Sequence, residues 1–578
     1  MTISRPDVTL APESAEASGV PGPRRYAGDL AVLLFYLALA IWVLGPLLAR
    51  PGAVHPDANS ADPDFFGWML RHAVRIFTAG EHPFRTPGLN APLGVNVLAN
   101  TGLLGLTVPL VPVTLLFGPD VTFVVLLTLG LAATAGAWYW VLSRHFGTGR
   151  LAAAIGGGFA GFAPGLVNHA NGHPNLIAQF LVPFLVWRAL SLRRVRDGIV
   201  LGLLVTWQAF INEELLFLTG LAGLVFVLGY AAFRPAEVRA RAGTFLTGLG
   251  AAVLTAGLLL AYPLWYQFAG PQSYHGLPDF VLGYGADLAS YPAFPKLSLA
   301  HGAGTLSPQP EENAFFGWPL LLLLAGIVVW LWRRVEVRAL ALVAVLFFAL
   351  SLGANVTLNG RAAPVPALWR AVNHLPLFDS VLPIRLGLVL VPVIAVLLAL
   401  SVREAQRLRY GAIWLVLVAA ALVPLVPVRL PVGPTAPVPA FFTSGDWHRY
   451  VTGDQSVLSA DTTVWFGGVT AMHWGNAAGD GYRMVGGYFL GPDVTGKGQY
   501  GTQERPTASL LGNIVYNGGV PPIGPAEQAQ ARADLRFWHT AIIVLAPDAP
   551  HHDELRDTLD QLVGPAQEVD DVLLWDVR

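Results

Sequence analysis

The sequence predicts a polytopic α-helical membrane protein that ends in a small α/β domain, and three observations predict it. Hydrophobic residues make up 54% of the chain and charged residues only 12%, against about 25% charged in an ordinary soluble domain. A soluble protein this apolar would expose large adhesive patches. Apolar runs of helical length recur between residues 29 and 428, and the pattern then changes to short strands and one amphipathic helix.

Residues 1–28 carry Pro, Ser and Glu without a hydrophobic period, the signature of a disordered tail, here cytoplasmic. The first run, 29–49, is longer than a secretory h-region and lies behind that tail, so a retained helix is expected rather than a cleaved signal. A spanning helix needs about 20 mostly apolar residues. Candidates lie near 29–49, 121–143, 151–167, 174–190, 198–212, 214–233, 244–266, 314–332, 337–354, 382–402 and 411–428. Gly156-Gly157-Gly158 and Gly161 predict close helix packing in the 151–167 run.

Five short turns are rich in arginine: 144–150, 188–196, 234–241, 333–338 and 403–409. The positive-inside rule places all five in the cytoplasm. The apolar segment 101–118, with Pro109 and Pro112, would reverse every later turn if it spanned. It is therefore read as an interfacial or re-entrant piece on the outer side, where covering protein satisfies its backbone. About eleven spans result, with the N-terminus inside and the C-terminus outside. Abundant Ala and Gly, with lysine only at Lys296 and Lys497, look like high-GC bacterial coding and so point to a bacterial plasma membrane. After the last span, the proline-rich stretch 429–440 favours extended chain. In the outer domain, 441–578, strands are expected at 456–460, 541–546 and 572–577 and a helix at 552–563.

The formal net charge of -2 gives no argument for nucleic acid, and the absence of cysteine excludes disulfides, thiolate nucleophiles and thiolate metal sites. Four outer constellations remain. The first loop carries His55, Asp57, Asp62, Asp64, Arg71, His72 and Arg75. Carboxylates above a membrane cavity are shielded from water and tuned as general bases; the plain alternatives are a solvated loop or a helix cap. Asp62-x-Asp64 also has the spacing of a metal-ligand pair, a reading not favoured over the base, and no cofactor is expected. The second constellation is His169, Asn171, His173 and Asn175, suited to a sugar or phosphate or simply a polar turn. Gly172 and Pro174 argue against one continuous helix carrying both imidazoles. The third, Asn212-Glu213-Glu214, divides two runs so short that its acids sit near membrane depth, where ionisable groups default to function or tight pairing. The fourth is the set of outer cations Lys296, Arg361, Arg370 and Arg385. Arg385 opens a span and suits a phosphate, or snorkels to lipid headgroups. Glu311, Glu312 and Asn313 precede the 314–332 run as charges favourable to a helix dipole.

The run Asp62-Pro63-Asp64-Phe65-Phe66-Gly67-Trp68-Met69-Leu70, then Asn90-Ala91-Pro92-Leu93-Gly94-Val95-Asn96, together with segments 169–175 and 212–214, resembles the GT-C glycosyltransferases. That superfamily includes protein O-mannosyltransferases and lipid-A aminoarabinose transferases, and the closer likeness is to actinobacterial membrane proteins assigned to the same class. The resemblance covers most of the membrane part. It implies a GT-C-like fold and a sugar donor on a polyprenyl phosphate, used outside the cytoplasm with membrane lipids as surroundings. The acceptor would be an envelope glycan, a lipid or a protein. It also implies a first-loop carboxylate as base; Asp62 matches best and Asp64 is its rival. Arg385, with Lys296, would then stabilise the departing phosphate. His169, Asn171, His173, Asn175, Asn212, Glu213, Glu214 and Glu312 would bind or orient the substrate. Two other classes remain open: a lipid or glycan flippase, and a non-catalytic scaffold binding glycan through Trp465, Trp474, Tyr482 and Tyr488.

Overall fold

The computed structural model describes residues 23–278, 283–302, 311–461, 468–479 and 481–578. Among the described residues, five helices are long and apolar enough to cross a bilayer: Ala27–Ala49, Val111–Arg144, Glu213–Phe233, Pro235–Ala269 and Pro383–Ala405. Shorter apolar helices include Trp318–Trp330 and Gly411–Leu425. Side chains such as Leu116, Leu258 and Val329 face outward from them, as a lipid solvent permits. The protein is membrane-embedded.

The structure corrects several sequence expectations. The tail read as 1–28 is helical from Pro23; its earlier residues, and Trp465, lie outside the described part. The run 151–167 is two helices, Arg150–Phe162 and Pro164–His169, separated at Ala163, whose backbone is extended. Pro164 disfavours the helical conformation in the residue before it. The run 174–190 is likewise broken into Pro174–Ile177 and Val182–Leu190. Before the Val111–Arg144 helix the chain makes one short helix, Leu104–Thr107, and it kinks again at Gly118, ahead of Pro119. The extended stretch 429–440 is no free linker: Val432–Pro434 pairs antiparallel with Val54–Pro56 of the first loop.

The glycines of the Arg150–Phe162 helix permit the approach expected of them. A Cβ on Gly156 would meet the Ala395 carbonyl at 2.7 Å, and one on Gly157 the Ala135 carbonyl at 2.7 Å. This helix therefore wedges between Val111–Arg144 and Leu390–Ala405. At its N-terminal end, Asp29 binds Tyr139, Arg144 and Arg150. His145 stacks on Trp187 at 3.6 Å, which ties the basic turns 144–150 and 188–196 together. Arg334 binds Glu404 at 2.7 Å and Arg338 lies over Phe233 at 4.5 Å, so the turns 234–241, 333–338 and 403–409 also meet.

Beyond the membrane helices a five-stranded mixed sheet runs in the order Gln567–Val569, Val572–Asp576, Thr540–Leu545, Ser456–Ser459, Arg483–Met484. The two pairs that include Ser456–Ser459 are parallel and the other two antiparallel. Helix His552–Val563 packs on the sheet through Leu555 and Leu559. The domain is sewn to the first loop by backbone bonds: Ala91 N–H donates to Met484 (3.0 Å) and Met484 N–H to Gly88 (2.9 Å). Asn100 exchanges two hydrogen bonds with Leu490, of 2.7 and 2.6 Å.

Candidate functional site

The first-loop helix Ala61–Thr78 sets Asp62 and Asp64 in its first turn. Two residues along a helix is roughly 200° of rotation, so the two carboxylates diverge rather than form a pair. Asp62 Oδ2 accepts from Asn59 Nδ2 at 2.6 Å and from His173 Nε2 at 2.8 Å. Tyr488, from the C-terminal domain, also hydrogen-bonds it. Burial pushes the Asp62 carboxyl up, but the His173 charge and these donors outweigh it and hold it below the usual carboxylate range. Asp62 is thus ionised at neutral pH.

Gly172 brings the histidine segment into reach. Its φ of +148° is a conformation side chains avoid, and a Cβ there would meet Asn59 Nδ2 at 2.8 Å. His173 Nδ1 lies 3.3 Å from His169 Nδ1, and His169 Nε2 lies 3.6 Å from Glu311 Oε2. Asp62 only accepts, so His173 Nε2 carries a proton. The two Nδ1 atoms share one proton between them. His169 Nε2 has no hydrogen bond of ordinary length. Complete burial lowers the His169 pKa to about 3, so its ring stays neutral.

Glu311 passes the chain of contacts to Arg385. Arg385 Nε lies 2.9 Å from Glu311 Oε1 and 3.2 Å from Oε2; Nη2 lies 2.7 Å from Oε1. Arg385 Nη1 donates to Glu214 Oε2 at 2.8 Å. Asn313 Nδ2 also donates to Glu311 Oε2, at 2.7 Å. Burial raises the Glu311 carboxyl, but the Arg385 charge prevails and brings it to about 2. Asn171 Oδ1, Asn175 Oδ1, Asn313 Oδ1 and Glu214 Oε1 are all buried without a hydrogen bond. These acceptors sit on the segments that carry His173, Glu311 and Glu214, and buried acceptors without partners suit a group rich in hydroxyls.

Other expected residues lie apart from this line. Asn212 caps the helix Glu213–Phe233, accepting from Leu215 N–H at 2.8 Å. Glu213 is held by Gln267 at 2.7 Å. Glu312 accepts the Lys296 backbone N–H at 3.1 Å, and its own N–H donates to Asn168; burial raises its carboxyl. The Lys296, Arg361 and Arg370 side chains are exposed. Trp474 and Tyr482 are core residues against Phe442 rather than a glycan platform. Glu311, read from sequence as a dipole charge, is the centre of the ion cluster. Its position at the edge of an apolar run, where an acid needs a partner, was the available signal. Tyr488, read from the sequence as a glycan-platform aromatic, contacts Asp62 instead, and nothing in the sequence pattern marks His473.

Asp64 faces the other way. Its Oδ1 binds His473 Nδ1 at 2.8 Å, Asn476 Nδ2 donates to its carbonyl at 2.8 Å, and the His473 side opens on a cavity of about 210 Å³ that also touches His55 and Asp120. His473 Nε2 lies 3.1 Å from the Ala436 carbonyl. Carboxylate and carbonyl both only accept, so both ring nitrogens carry protons and His473 is an imidazolium. Burial lowers its pKa, but Asp64 reverses the sign and raises it. A raised histidine pKa stabilises fully below the unfolded value of about 6.5 and is lost as pH rises through the folded value. Amide exchange of helix Gly468–Ala477 is therefore expected to quicken as pH climbs above about 6.5, beyond the intrinsic pH effect on exchange. In His473→Gln this extra acceleration should be absent; an unchanged pH response in that variant removes the clamp.

No family model matches the chain, and no curated protein matches it. Among solved structures, the apo oligosaccharyltransferase of Archaeoglobus fulgidus is 13% identical, over 89% of this chain and 69% of that one, with a TM-score of 0.48. ArnT from Cupriavidus metallidurans in the apo state is 12% identical, over 95% of this chain and 98% of that one, at 0.45. The same ArnT bound to undecaprenyl phosphate is 13% identical, over 95% and 97%, at 0.40.

Proposed function

We propose that the chain is a membrane glycosyltransferase that moves a sugar from a polyprenyl-phosphate donor to an acceptor hydroxyl outside the cytoplasm. The observation that carries this reading is an ionised carboxylate, Asp62, linked through His173, His169 and Glu311 to Arg385 at the start of a membrane helix, with buried unsatisfied acceptors on the same segments. A hydroxyl-rich ring satisfies these acceptors, and a prenyl chain attached to it can stay among the apolar helices. The contacts that join the basic turns 144–150 and 188–196, and those that join 234–241, 333–338 and 403–409, fit the reading that each group shares one side, here taken as cytoplasmic.

In the reaction, the acceptor hydroxyl loses its proton to Asp62 while its oxygen bonds to the anomeric carbon. The bond from that carbon to the phosphate oxygen breaks, and its electron pair leaves with polyprenyl phosphate. His173 and Asn59 fix the base by hydrogen bonds, and orientation of this kind converts binding energy into rate. Arg385 faces the charge that grows on the leaving phosphate. His169, Asn171 and Asn175 line the sugar.

Purified protein in proteoliposomes, given short-chain polyprenyl-phosphate sugars and an acceptor, is expected to release polyprenyl phosphate in step with acceptor glycosylation. Movement of intact donor across the bilayer without cleavage would instead establish a transporter.

A further inference from the structure

We propose that Glu214 occupies the place of the donor phosphate on Arg385, and that the phosphate binds by displacing it. This rests on the glycosyltransferase reading and adds to it a residue that sets donor affinity.

The charge count motivates it. Arg385 carries one positive charge and touches two carboxylates, Glu311 and Glu214. The node is already formally anionic before a phosphodiester brings a further negative charge. All three side chains are largely withdrawn from solvent, at 18%, 5% and 16% exposure, so repulsion between like charges is screened little. One carboxylate has to yield the guanidinium.

Geometry selects which. Glu311 grips the Nε and Nη2 edge of the fork and takes a further bond from Asn313. Its segment is also wedged: a Cβ on Gly165 would meet Asn313 Oδ1 at 2.8 Å, and one on Gly387 the Asn313 carbonyl at 2.9 Å. Glu311 therefore serves as the fixed mount of the arginine. Glu214 holds Arg385 through one hydrogen bond, from Nη1, and its only other hydrogen-bond contact is the Leu382 backbone, fewer ties than hold Glu311. A phosphate oxygen can make that same N–H···O bond and bring the sugar with it. Glu214 sits in the first turn of its helix, two residues after the capping Asn212.

The test is a titration of the full-length protein in nanodiscs with a short-chain polyprenyl phosphate, for wild type, Glu214→Gln, Glu214→Asp and Arg385→Gln. Glu214→Gln removes one competing charge and is expected to bind about tenfold tighter, equivalent to about 1.4 kcal/mol. Glu214→Asp keeps the charge but shortens its reach, and falls between the two. Arg385→Gln binds least. In turnover, Glu214→Gln lowers the donor KM by a similar factor while kcat does not rise, because the product phosphate also leaves more slowly. A purely structural role for Glu214 would leave KM unchanged or higher. If wild type binds and Arg385→Gln does not, but neither Glu214 variant binds tighter, the displacement is wrong while the function stands. If no form binds polyprenyl phosphate, both are wrong.

Discussion

Asp62→Asn is expected to reduce sugar transfer by about 10²- to 10⁴-fold, the range that a positioned general base contributes, with donor affinity within about twofold of wild type. The substitution keeps the size of the side chain and one oxygen for His173 Nε2 and Asn59 Nδ2 to contact. What it removes is the only function the mechanism asks of the residue, acceptance of a proton while the acceptor oxygen attacks. The same experiment with Asp64→Asn separates the two first-loop acids. Asp64 is engaged by the doubly protonated His473 on the far side of the helix. Its loss should loosen helix Gly468–Ala477 and act on rate only through Tyr488, which the same domain delivers to Asp62. A chemical step untouched in Asp62→Asn, together with one abolished in Asp64→Asn at normal stability, would exchange their roles. Initial rates under saturating donor, with thermal melts of each variant, decide it.

How much of this site was legible in the sequence depends on distance along the chain. The histidine segment and the Asn212–Glu214 acids announced themselves because a polar residue beside an apolar run must find a partner. The helix His552–Val563 was legible to the residue, since its apolar positions repeat with helical period between a polar start and Gly564. The breaks at Ala163 and between Ile177 and Val182 were less legible, because each interrupts a run whose hydrophobicity continues unchanged. Proline gives the local reason, but only packing decides whether such a run kinks or stops. Contacts such as His473 to Asp64, separated by 409 residues, have no local signature. A histidine on a small outer helix reads as surface until the β-type bonds from residues 84–100 fold that domain down on the first loop. Arg385 carried the opposite lesson. Its type and depth pointed to a phosphate, yet the two acids it meets come from segments 171 and 74 residues away. Their joint charge on Arg385 is invisible to any single window.

Arg385→Gln is expected to be the most destabilising single change in the site, by about 3–5 kcal/mol, the scale for removing one partner of a buried ion pair. Glu311 and Glu214 would be left side by side with no cation, while Asn313 Nδ2 supplies one donor to share. The pH dependence distinguishes this cause from simple loss of packing. In wild type the Glu311 carboxyl is held near 2, below its ordinary value. A depressed carboxylate stabilises fully above the unfolded pKa of about 4.3, and that contribution is lost as pH falls from there through the folded value. Wild type should therefore weaken between about pH 4.3 and 2. In the variant, burial acts on Glu311 without the guanidinium and pushes its pKa above the unfolded one, so protonation on acidification relieves the repulsion. Its stability therefore rises as pH falls from that raised value to about 4.3 and is flat below, where wild type weakens, so the gap between the two proteins narrows as pH falls. Thermal midpoints of both in the same detergent, followed from pH 7 downward, measure the gap. A difference that stays constant with pH would mean that Arg385 acts through shape rather than charge, and the electrostatic account of both Glu311 and the proposed displacement of Glu214 would lose its basis.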